Sequence, residues 1–177
     1  MSRHASAADD YHPWTTYIYA REEARRRGDR RVGTEHLVLG LLREPVLGDA
    51  LGCELGTARA TLEALDRSAL AAIGVESSLD APPVPTREPA AGAQRPTLKT
   101  VWADRLPLTP AAKTALQESS RGLGRRRRID PCRVLLAVLS LRQPDPGADL
   151  LDALDINREA VCQRLTAPPA PGGEAAA

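Results

Sequence analysis

The sequence has 177 residues, a formal net charge of +1 and 42% hydrophobic residues. That suits one ordinary domain or two small lobes with a real core, and it excludes global disorder. The near-neutral balance supplies no overall field for nucleic acid or an anionic membrane.

Residues 1–12 are polar and read as a flexible N-terminus, and the first lobe spans 13–73. Trp14–Arg27 carries Ile18, Tyr19, Ala20 and Ala24 among charges, and it halts at Gly28, which predicts a helix ended by a C-terminal glycine. Thr34 is placed to cap the next helix and Glu35 to favour its positive end. The run Leu37-Val38-Leu39-Gly40-Leu41-Leu42 is apolar on every face, so this helix should be central and buried. A short helix near Val46–Leu51 and a longer one over Thr57–Ile73 follow. In the latter, Ala58, Leu62, Leu65 and Ala69 recur at spacings of three and four.

Residues 74–107 hold Pro82, Pro83, Pro85, Pro89, Pro96 and Pro107 and read as an extended linker, because proline removes a backbone donor and disfavours helix before it. The second lobe, 108–165, repeats the order of the first. Thr109-Pro110, Asp130-Pro131 and Asp145-Pro146 each set a capping side chain before a proline suited to a first helical turn. Val134–Leu139 is the counterpart of the buried run, and Asn157 caps a last helix with Val161 and Leu165. Laying Val32–Leu42 over Ile129–Leu139 matches apolar to apolar at nearly every core position, the mark of a duplicated four-helix unit. The Ala/Pro/Gly-rich stretch 166–177 reads as a disordered tail.

The core must be unusual, since Phe is absent and there are two Trp and three Tyr. It is built from Leu, Val, Ile and Ala, which pack well between helices. Cys53, Cys132 and Cys162 are odd in number and widely spaced, which reads as reduced thiols. With no apolar signal core and no run near the ~18 residues that span a bilayer, a cytoplasmic protein without membrane contact is expected. His4, His12 and His36 have no metal-ligand spacing, and neither metal nor cofactor is expected.

Two sets of residues carry a family resemblance. Ala20-Arg21-Glu22-Glu23-Ala24-Arg25 and Val32-Gly33-Thr34-Glu35-His36-Leu37-Val38-Leu39-Gly40-Leu41-Leu42 resemble the signature of the Clp N-terminal repeat. Leu108-Thr109-Pro110-Ala111-Ala112-Lys113 resembles the start of its second repeat. The resemblance covers roughly 13–165 and points to the N-terminal domain of ClpC-type unfoldases. It implies an all-α fold of two four-helix repeats related by a pseudo-two-fold axis. It also implies a non-enzymatic unit that receives unfolded proteins, adaptor proteins or peptides, including cyclic-peptide antibiotics, for a ClpC-type protease machine. As an accessory, such a unit would recruit substrates or act as a decoy.

Departures from the pattern matter as much. Full-length relatives continue into AAA+ modules, whereas nothing here matches GxxxxGK[ST], so no phosphate cradle is present in the sequence. Relatives that bind phosphoarginine use the glutamate of each GTEH motif, because a carboxylate forms paired charge-assisted bonds with a guanidinium. Glu35 preserves it in repeat one, but Cys132 takes its position in repeat two. Asp9-Asp10-Tyr11-His12 replaces a basic approach to repeat one, and Leu108 stands where the family has an aromatic. The expected ligand-binding residues are therefore Thr34 and Glu35, with Leu108, Lys113 and Gln117 near the groove between repeats.

Blander roles compete for these residues. Glu35 can be a helix-start charge, His36 a packing or hydrogen-bonding group there, Lys113 an exposed cation, and Cys132 and Cys162 small buried hydrophobes. The run Arg125-Arg126-Arg127-Arg128 suggests a second reading, a nucleic-acid-linked regulator. Without interleaved aromatics, a solvated loop charge explains it better.

Overall fold

The computed structural model describes residues 15–75, 105–121 and 131–166. The linker 76–104, the arginine run 125–128, Asp130, the N-terminal 1–14 and the tail 167–177 lie outside the described residues. Among the described residues the fold is all-α, with eight helices and no strand. In chain order they are α1 (Thr15–Arg27), α2 (Thr34–Leu41), α3 (Pro45–Leu51), α4 (Leu55–Ala72), α5 (Pro110–Ser120), α6 (Pro131–Leu139), α7 (Pro146–Ala153) and α8 (Arg158–Thr166).

Helix α2 is the hub. Residues 36–42 are all buried, and the helix packs against α1, α4, α5, α6 and α7. An all-round apolar helix must be enclosed in this way, since no face of it is suited to water. Gly40 of α2 faces the α1 backbone, where a β-carbon on Gly40 would lie 2.8 Å from the Ala20 nitrogen and 3.1 Å from the Thr16 carbonyl oxygen. Ala20 and Ala24, both fully buried, keep the α1 side of the crossing equally thin.

Helix ends follow local chemistry. Gly28 takes a left-handed conformation (φ +79°) after α1. Its amide donates to the Arg25 carbonyl and that of Asp29 to the Ala24 carbonyl, the paired bonds that close a helix at glycine. Gly52 and Gly74 end α3 and α4 in the same geometry. Asp155 does so after α7 with φ +53°, a conformation that costs an L side chain energy. Thr109 and Asp145 cap α5 and α7, accepting from the Ala112 amide and from the Gly147 and Ala148 amides. Asn157 accepts from the Ala160 amide at the start of α8.

Three expectations need correction. Thr34 does not cap α2: Gly33 holds the cap position, its amide donates to His36 Nδ1 at 3.0 Å, and the Thr34 hydroxyl is used elsewhere. Helix α6 is not buried on every face as α2 is, because Leu136 and Ala137 are only half-buried. In α4, which begins at Leu55, the periodic apolar face is buried only at Ala58 and Leu62. Leu65 is half-buried and Ala69 exposed, so the last turns of α4 project past the core.

Ion pairs bind the helices across the bundle. Glu23 of α1, almost wholly buried, accepts two bonds from the Arg59 guanidinium of α4 at 2.9 and 2.6 Å. Such a fork matches the carboxylate geometry and satisfies a charge that burial would otherwise penalise. Arg158 of α8 donates to the Leu141 and Ala148 carbonyls and to Asp152, fastening α8 beneath the α6–α7 connection.

Candidate functional site

The start of α2 and the approach to α5 meet along a short seam. The Val32 amide donates to the Pro107 carbonyl and the Thr109 amide donates to the Val32 carbonyl, both at 2.9 Å, forming a single parallel bridge between Val32 and Leu108. Val32 is fully buried and Leu108 is half-buried against the core. Beside the seam the Tyr17 hydroxyl donates to the Leu106 carbonyl at 2.8 Å. Tyr17, Arg105, Leu106, Pro107 and Leu108 together line an open depression of about 310 Å³. Sequence reasoning did not assign Tyr17 or Arg105 here, because only the fold brings residues some ninety positions apart together.

Thr34 and Glu35 come two and three residues after Val32, so both lie near the seam, but they face different surroundings. Thr34 is buried, and its hydroxyl donates to Asp145 Oδ1 at 2.7 Å and accepts from the Gly147 amide at 3.1 Å. Gly147 is needed at this approach, since a β-carbon there would come within 2.9 Å of the Thr34 side chain. Thr34 therefore ties the first turn of α2 to the first turn of α7. Asp145, read from sequence only as a cap, is the other half of this tie.

The Glu35 side chain curls back over Gly33, where a β-carbon would collide with its carboxylate. Oε1 lies 3.0 Å from His36 Nδ1, and Oε2 is buried with no hydrogen-bond partner among the described residues. His36 is itself buried, with Nε2 2.9 Å from Asp29 Oδ2. The two contacts of Nδ1 exclude each other. Neutral imidazole with its proton on Nε2 donates to Asp29 and accepts the Gly33 amide at Nδ1, whereas imidazolium donates to both Asp29 and Glu35.

Burial works to raise the Glu35 pKa, but the hydrogen bond and charge of His36 and the bond from its own amide overcome this. The carboxyl is held below its ordinary value of 4.5. Beyond His36, Asp29 also accepts from Arg27 Nε at 3.0 Å, and Arg27 reaches Asp66 of α4. A line of polar contacts thus runs from α4 through the end of α1 to Glu35.

Lys113 and Gln117 are exposed one turn apart on α5, with Lys113 beginning one turn beyond Thr109. Neither lines the depression. The fold brings Thr34, Glu35 and Leu108 to one seam and sets Lys113 and Gln117 along the helix leading away from it. Cys53, Cys132 and Cys162 are half-buried and form no disulfide among the described residues, and burial pushes the Cys53 thiol above its ordinary pKa. Among the described residues, no group of three or more His, Cys, Asp or Glu could hold a metal ion. No described helix is long and apolar enough to cross a membrane. No protein-family model matches the chain, and no curated protein matches it at a significant level.

Proposed function

We propose that this chain is a relative of ClpC-type N-terminal domains, a non-enzymatic unit that binds unfolded segments, adaptor proteins or peptides. It would serve a ClpC-type protease machine as a helper that delivers substrates, or as a decoy that sequesters ligands such as cyclic-peptide antibiotics. On this reading α1–α4 and α5–α8 are two copies of one four-helix repeat. The observation that carries it is that some helix pairings recur between the halves, although α2–α7 and α2–α5 have no equally close counterpart around α6. Helix α1 packs on α2 as α5 packs on α6, α4 packs on α2 as α8 packs on α6, and α3–α8 answers α4–α7. The two hub helices of the proposed repeats, α2 and α6, also touch each other. Proline opens both α3 and α7, and a left-handed residue closes each.

Ligands divide by chemistry between the two sides of the seam. Glu35 is an ionised acceptor at a helix start, suited to a guanidinium or another cationic group. The depression beside Leu108 is suited to apolar peptide side chains, with Lys113 and Gln117 extending that side along α5. Calorimetric titration with an arginine-rich peptide and with an apolar cyclic peptide tests this division. Glu35→Ala is expected to weaken the cationic peptide roughly ten- to a hundredfold, the worth of one charge-assisted bond. It should leave the cyclic peptide unchanged, whereas Leu108→Asp does the reverse. If Glu35→Ala alters neither affinity, Glu35 is a helix-start charge and has no part in recognition. Failure of the purified chain to bind either peptide or a permanently unfolded protein would defeat the reading as a whole.

A further inference from the structure

A second surface, joined to the seam through Asp29 and Arg31, is formed where α1 ends against α4. Past that point α4 continues for about two more turns whose side chains are exposed and on which no described helix packs closely. Ile73 lies eleven residues, three helical turns, after the buried Leu62, so it stands on the same stripe of the helix. Ala69 lies on that stripe too, and Leu70 flanks it. Yet Ile73 is 73% exposed and Leu70 38%. The stripe that seals the core at Ala58 and Leu62 thus runs on into solvent as an apolar ridge. The overhang is a finished helix, closed at Gly74 by the amide of Val75 bonding to the Leu70 carbonyl and that of Gly74 to the Ala71 carbonyl.

The base of this ridge is strongly basic. Asp66, one turn before Leu70, is held by Arg27 at the end of α1, and Arg27 also holds Asp29. Arg27 carries one charge against these two carboxylates, and beside them Arg26, Arg30, Arg31 and Arg67 are exposed and make no ion pair among the described residues. Glu63, one turn before Arg67, is the nearby counter-charge on α4. A chain that is almost neutral overall therefore places more guanidinium groups than carboxylates beside exposed aliphatic side chains. Guanidinium forks suit carboxylates on a partner's rim, and the ridge suits an apolar seam laid along it. A second copy of this chain would bring like charges together, and nucleic acid would leave the apolar ridge unused.

We propose that the α4 overhang and the arginines at its base form a docking surface for an acidic amphipathic helix of a partner protein. The partner's leucines would lie along Ala69, Leu70 and Ile73, and its carboxylates would face Arg26, Arg30 and Arg67. This surface does not depend on the ClpC-like reading. The test is fluorescence anisotropy of the full chain with a synthetic peptide of about 16 residues, long enough to follow the ridge. It carries Leu at helical spacing and Glu elsewhere. The comparison ligands are its scrambled version, the same pattern with Lys in place of Glu, and a short DNA duplex.

The acidic amphipathic peptide is expected to bind, the other three to bind at least about tenfold more weakly, and added salt to reduce its affinity. The paired change Arg26→Glu with Arg30→Glu should weaken it about tenfold or more, and Ile73→Asn about fivefold. Unchanged circular dichroism and thermal midpoints will establish that these exposed substitutions leave the fold intact. Equal binding of the scrambled or lysine peptide, tighter binding of DNA, or retention of affinity in Ile73→Asn each overturns the proposal, as does no binding at all.

Discussion

Replacing Thr34 with Val removes one hydroxyl at almost constant shape and tests the tie between α2 and α7. The hydroxyl donates to Asp145 Oδ1 at 2.7 Å, and both residues are more than nine-tenths buried. A hydrogen bond to a charged acceptor contributes about 1.5–3 kcal/mol when one partner is removed. Asp145 keeps its bonds from the Gly147 and Ala148 amides at 2.9 and 3.2 Å, so its charge is not stranded, and the middle of that range applies. The new methyl also takes the position of a hydroxyl that sits 3.1 Å from the Gly147 nitrogen, a close fit for carbon. The expected loss is therefore about 2 kcal/mol. With a urea dependence of roughly 2 kcal/mol per molar for a domain of this size, the unfolding midpoint should fall by about 1 M at an unchanged slope. Thr34→Ser, which keeps the hydroxyl, should lose less than half as much. A Thr34→Val midpoint within about 0.2 M of the parent would refute the tie and return Thr34 to the candidates for ligand contact.

Three further outcomes follow from the packing and the electrostatics. Gly40→Ala gains about 1 kcal/mol in helix propensity, but its methyl meets the α1 backbone, and overpacking typically costs 1–3 kcal/mol. A net loss in thermal stability is expected, and a stabilised variant would contradict the close α1–α2 crossing. Asp155→Gly relieves a left-handed aspartate and should stabilise by roughly 0.5–1 kcal/mol in denaturant unfolding. Because the folded Glu35 pKa lies below 4.5, its contribution to stability is complete above that value and is lost as pH falls through the lower folded pKa. Glu35→Gln removes this contribution, so the gap between parent and variant should narrow steadily below pH 4.5, and a gap that widens there would reverse the assignment.

Much of the architecture could be read from local pattern. The apolar run from Leu37 to Leu42 has no face for water, and that alone requires a central helix. Gly28 ends α1, and Thr109, Asp145 and Asn157 cap their helices, because these bonds join residues two to five positions apart. The sequence could not by itself say that α6 keeps one face half-open, although its run of apolar residues resembles that of α2. How many neighbours enclose a helix depends on the whole bundle. Nor could it say that α4 outruns its core, since Ile73 fits the apolar period as well as Leu62 does.

The candidate site divides in the same way. Glu35 was legible as an ionised group at a helix start, because an acidic side chain there interacts with its own first turn. Its return over Gly33 and its pairing with His36 are also local. Thr34 was misread as a cap because the sequence shows the hydroxyl but not Asp145, 111 positions away. The seam between Val32 and Leu108, and the depression that adds Tyr17 and Arg105 to it, required the tertiary structure. No local periodicity carries information about which distant backbone amide will find which carbonyl once the hydrophobic core has drawn the halves together.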